Sequence, residues 1–196
     1  MRLRDNLKED IVREEAIKML ANEGFDGFSM NKLAKVSNVS VATLYIYYKD
    51  KETLLKVIGT EIGRSFMQNT LKDFSAKMPF AEGLKKQWEN RSDFAIQFPL
   101  EVACYEILRH SNHGEYINEE SFKDFKTTMQ EFTHNAIERK ELIPLSIEAF
   151  WSVAYGPLYT LLRFHNEGKS IGGRKFIFNK KVMDEAFQLT IKALTP

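Results

Sequence analysis

The chain has 196 residues, enough for one or two domains with a sizeable buried core, and its 28 Lys and Arg against 27 Asp and Glu leave a net charge of +1. A balance so near neutral excludes a molecule that is basic throughout, so any affinity for nucleic acid has to come from a local patch. The charged opening MRLRDNLKEDIVREE holds no apolar signal region, the run from Phe150 to Phe164 is too short and interrupted to span a bilayer, and a single cysteine, Cys104, excludes an internal disulfide, which together predict a cytoplasmic protein with no membrane partner.

The first predicted helix carries Val12, Ala16, Met19 and Leu20 on one face and stops at Gly24, a residue that takes a left-handed conformation at no steric cost. Ser29 is the predicted N-cap of a second helix with Met30, Leu33, Ala34 and Val36 inward. Asn38 falls where the chain must turn sharply, and asparagine tolerates the left-handed region better than most residues. Ser40 then caps a third helix, Val41-Ala42-Thr43-Leu44-Tyr45-Ile46-Tyr47-Tyr48, with Leu44 and Tyr48 pointing in and Val41, Ala42, Thr43 and Tyr45 sharing the outer side. Helix four is expected from Lys51 to near Phe74, helix five from Pro79 to Phe98, and helix six from Pro99 to near Ser111. Helix seven shows an apolar stripe at Phe122, Phe125, Met129, Phe132 and Ile137; Pro144-Leu145-Ser146 opens helix eight, and Asn179 caps helix nine. Pro157 lacks an amide hydrogen and is expected to kink helix eight between Val153 and Gly156.

Two short helices joined by a turn of about four residues have the size of a motif that lays its second helix in the major groove. The outer residues suit that task. Val41 and Ala42 are small enough for the backbone to approach bases, and Val41 offers methyls to a thymine methyl; Thr43 can donate or accept at a base edge. Tyr45 and Tyr47 carry hydroxyls suited to phosphate oxygens, and Lys51 adds a charge beside the N-terminus of the next helix. From Ser29 to Lys51 the cations Lys32, Lys35, Lys49 and Lys51 face one acid, Asp50. The alternative is an ordinary solvated helix face. Arg2 and Arg4 suggest either an arm toward the minor groove or a frayed terminus.

Residues Gly24 to Leu55 resemble the TetR family of bacterial transcriptional regulators: Gly24-Phe25 before the second helix, Leu33-Ala34 within it, and Val39-Ser40, Thr43-Leu44-Tyr45, Tyr47-Tyr48, Lys51 and Leu54 in the pattern V-S-x-x-T-L-Y-x-H/Y-F/Y-x-x-K-x-x-L. Asn38, Phe28, Glu15 and Tyr47 depart from the usual residues without breaking the pattern. The resemblance implies an all-α, nine-helix, two-domain architecture: a helix-turn-helix DNA-binding domain over 1–55 and a helical effector-binding and dimerisation domain over 56–196. It implies contacts to a double-stranded operator from Asn31, Val41, Ala42, Thr43, Tyr45, Tyr47 and Lys51.

Helix eight is apolar nearly all round and must be covered on both sides. The resemblance supplies the second cover as a homodimer, in which the last two helices pair with their twofold mates through Leu158, Leu161, Leu162, Val182, Met183, Ala186 and Phe187. Trp88, Phe94, Phe98, Tyr105, Phe122, Phe125, Met129, Trp151 and Tyr155 either line an apolar effector pocket or form plain core. His110 and His113 lack the further clustered ligands that a metal site needs. No nucleophile–base constellation appears, so the chain is read as neither an enzyme nor a cofactor carrier. The combined expectation is a ligand-responsive repressor, released from an inverted-repeat operator by a small, largely apolar effector. A helical small-molecule carrier that does not use its reader-like head is the alternative.

Overall fold

The computed structural model describes residues 2–196, with the side chains of 2–6 and 124 excepted. Arg2 and Arg4, candidates for a minor-groove arm, are therefore outside the described side chains. Among the described residues the fold is all-helical: α1 (Arg2–Gly27), α2 (Met30–Val36), α3 (Val41–Tyr47), α4 (Lys51–Thr70), α5 (Phe80–Gln97), α6 (Pro99–Arg109), α7 (Gly114–Glu138), α8 (Ile147–Asn166) and α9 (Lys180–Leu194), with one 3-10 turn at Ile171–Gly173. The only pairing of extended backbone among them is an isolated bridge between Lys169 and Lys175.

Local chemistry accounts for most boundaries. Gly24 leaves helical geometry with φ at +65°, so α1 is interrupted where the sequence predicts its end. Ser29, Ser40, Ser146 and Asn179 each accept an amide hydrogen three residues on, from Lys32, Thr43, Ala149 and Val182, and so cap α2, α3, α8 and α9. Helix α4 stops at Thr70, short of the expected Phe74, because the chain turns there and Asp73 enters the left-handed region at φ +54°.

The chain forms two compact units that are discontinuous in sequence, Met1–Met67 with Phe98–Lys123, and Gln68–Gln97 with Asp124–Pro196. In the first unit α1 packs on α6 and α2, and α2 on α3. Its core runs from Val12, Ala16 and Leu20 through Leu33 and Leu44 to Leu54, Ile58, Leu108 and Ile117, all buried. Two glycines bring α4 close to α7: a Cβ on Gly59 would sit 2.5 Å from Ile117 Cδ1, and one on Gly63 would fall against Ser121 Oγ and 2.8 Å from Tyr105 Cε2. In the second unit α8 packs on α5 and α9. An aromatic chain runs through that core, with Phe132 against Phe74 and Phe80, Phe80 against Phe150, and Phe150 against Tyr155.

Candidate nucleic-acid interface

The polar turn between α2 and α3 is closed by the backbone. Ser37 N donates to Leu33 O at 2.9 Å, Val39 N to Ala34 O at 3.0 Å, and Asn38 sits between them at φ +53°, the left-handed position that its side chain tolerates. Ser40 starts α3: its Oγ accepts from Thr43 N at 3.0 Å and shares a 2.8 Å hydrogen bond with Thr43 Oγ1. The cap fixes where the helix begins and hence which residues face outward.

Leu44 and Tyr48 anchor α3 from below, both buried as the spacing predicts. Burial also pushes the Tyr48 phenol up to about 12, so that ring stays neutral. Above them Asn31 and Ala42 are exposed, Tyr45 is 50% exposed, and Val41, Thr43 and Tyr47 are half-buried. The ring of Tyr47 meets that of Tyr48 edge-on at 6.5 Å.

Three placements differ from the sequence reading. Val36 is exposed rather than inward, because α2 ends at that residue and its last turn lies beyond the packed face. Lys51 is half-buried rather than a plain surface charge: its ammonium donates to Phe28 O at 3.2 Å and lies 5.2 Å above the Phe28 ring. Ile46, absent from the predicted contacts, is 80% exposed and is the most outward apolar side chain of α3. Helical spacing held the signal for it, since Ile46 is four residues from Ala42 and two from either anchor. Lys32, counted among the local cations, is paired with Glu23.

The aromatic residues proposed for an effector fall in both units. Phe98, Tyr105 and Phe122 belong to the first, and Trp88, Phe94, Phe125, Met129, Trp151 and Tyr155 to the second. In the second unit they build a specific arrangement. Trp88 Nε1 donates to Ala154 O at 2.7 Å, and the Tyr155 hydroxyl donates to Gln87 Oε1 at 2.5 Å. Arg91, which the sequence reading passed over, is fully buried there, its guanidinium 4.4 Å from the Tyr155 ring and 5.4 Å from both Phe125 and Trp151, with Nη1 donating to the Tyr159 hydroxyl. Its position was legible, because Leu84, Trp88, Arg91 and Ala95 follow one another at spacings of four, three and four.

The predicted seam residues divide as well. Leu158 is wholly buried inside the single chain, at 0% exposure, and Leu162, Met183 and Phe187 are buried too. A side chain already covered offers little area to a partner, so Leu158, Leu162, Met183 and Phe187 act as core within the single chain. Leu161, Val182 and Ala186 remain partly open, and Leu189, one turn beyond Ala186 on α9, is 70% exposed. Cys104 is buried and its thiol is pushed up to about 12 by desolvation, which leaves it an unreactive core side chain. No group of three or more His, Cys, Asp or Glu side chains placed to hold a metal ion is found among the described residues. No helix among them is long and apolar enough to cross a membrane.

Residues 12–58 match the family described as bacterial regulatory proteins, tetR family. An uncharacterized HTH-type transcriptional regulator of Haemophilus influenzae is 28% identical over 182 residues, 90% of each chain. Among solved structures, a TetR family transcription regulator from Marinobacter aquaeolei superposes with a TM-score of 0.80 at 25% identity, covering 100% of this chain and 99% of that one. A TetR-family regulator from Haemophilus influenzae gives 0.72 at 23% identity over 100% of both chains, a likeness of fold alone.

Proposed function

We propose that this chain, a TetR-family transcriptional regulator that binds DNA through its helix-turn-helix, acts as a dimeric repressor released from an inverted-repeat operator by a small, largely apolar effector. The observation that carries the reading is the presentation of α3: Leu44 and Tyr48 hold it from beneath, Ser40 fixes its start, and Ala42, Tyr45 and Ile46 stand outward. The contact set we propose is Asn31, Val41, Ala42, Thr43, Tyr45, Tyr47 and Lys51. The small and hydroxyl side chains address base edges and phosphates, and Lys51 keeps two ammonium hydrogens beyond the one given to Phe28.

Twofold pairing through the open face of α9 and the neighbouring part of α8 would give two copies of α3, one per half-site. The effector acts by population shift, binding best to the dimer whose readers are spaced wrongly for successive major grooves. We place the effector beside the aromatic cluster of Trp88, Trp151 and Tyr155, whose rings would meet an apolar surface once the core opens to admit it. Selection of a duplex from a random pool by the full-length protein, followed by a salt titration, tests the reading. A regulator selects an inverted repeat and loses affinity steeply with salt. A helical carrier selects nothing, and that result would end the proposal.

A further inference from the structure

Isoleucine is a costly choice for the most outward position of a short helix, since it forgoes the burial that rewards an apolar side chain. Ile46 is 80% exposed, whereas Leu44 and Tyr48 on either side of it are buried. Ala42, one turn earlier on the same face, carries only a methyl and leaves the approach to Ile46 clear, and Lys49, three residues later, is exposed and cationic. The surface is thus an apolar point set beside positive charge on the helix proposed above to enter the major groove. The one apolar group that a base pair offers in the major groove is the C5-methyl of thymine.

We propose that Ile46 reads a thymine C5-methyl in each operator half-site and is a specificity-determining residue of this regulator. The inference rests on the DNA-binding reading above and goes beyond it in naming the base and the atom. Uracil presents the same hydrogen-bonding edge without the methyl, so exchanging thymine for uracil deletes only the contact in question.

The test uses the full-length protein and the duplex it selects from a random pool. Each thymine is replaced singly by uracil, and affinities are measured for the wild type, Ile46→Ala and Ile46→Val. One replacement per half-site should weaken wild-type binding about three- to tenfold, the size that one buried methyl supports, and should have no effect on Ile46→Ala, with Ile46→Val between them. Equal losses in wild type and Ile46→Ala, or no loss at any thymine, would overturn the assignment while leaving DNA binding itself intact. Failure to select any duplex would remove the regulator reading and this inference together. Thermal midpoints of both variants should match the wild type, because an 80% exposed side chain contributes little to the core.

Discussion

The ammonium of Lys51 reaches back 23 residues to the carbonyl of Phe28 and, from the same position, lies over that residue's own ring. One side chain at the start of α4 therefore holds the entry to α2, and it does so from the position proposed above for a phosphate contact. Phe28 is buried, so its carbonyl has little access to water and the lysine bond has structural weight.

Replacing Lys51 with Ala should have two separable effects. Losing the hydrogen bond and the contact with the ring should cost about 1–2 kcal/mol of stability, read as a fall of a few degrees in thermal midpoint. Binding to all duplexes should weaken alike, with the salt slope lowered by about 1. A lowered midpoint with an unchanged slope would make Lys51 purely structural.

Ser40→Ala should remove the cap of α3 and cost about 1 kcal/mol. It also takes away the hydroxyl partner of Thr43, so base preference at the position Thr43 addresses should broaden in duplex selection. An unchanged midpoint would show that the cap does not hold the helix start.

Gly63→Ala should destabilise the first unit by about 1–3 kcal/mol, because the added methyl meets Ser121 Oγ and the Tyr105 ring. Gly24→Ala should be destabilising for a different reason. Nothing lies within 4 Å of the new Cβ, and the cost comes from the positive φ alone. Thermal melts of both variants should show a lowered midpoint, and an unchanged midpoint for either would remove the corresponding cause.

Leu189→Asp should dissociate the dimer in sedimentation with helical content unchanged, since the residue is 70% exposed within one chain. Leu158→Asp should instead unfold the second unit, because it places a charge in a fully buried site. A Leu189→Asp protein that still sediments as a dimer would place the seam elsewhere.

The carboxylate of Asp50 accepts the Thr53 amide hydrogen at 2.7 Å, and that bond holds its pKa below the ordinary Asp value. The stabilisation from this group is complete above the unfolded carboxyl's pKa and is lost as pH falls through the depressed folded value. Asp50→Asn should therefore reduce the acid sensitivity of the thermal midpoint below about pH 4. Identical pH profiles for the two proteins would remove Asp50 from the acid response.

Much of the reader was legible because its signals are short-range. Ser29 and Ser40 cap helices by bonding their own backbone three residues on, and Asn38 and Gly24 take positive φ for reasons intrinsic to those residues. Periodicity then assigned Leu44 and Tyr48 to the inside. What it did not resolve was the rank of outward residues: Ile46 is 80% exposed, further out than Tyr45 at 50%.

The amino-acid sequence by itself determined the helices, their caps and the reader motif, since each depends on contacts within about four residues along the chain. Tertiary structure alone decided that Leu158 is inside the chain, that Lys51 is tied to Phe28, and that Arg91 is enclosed by aromatic rings. The last two join residues between 23 and 68 positions apart, where which groups meet is set by how helices pack and not by any local preference.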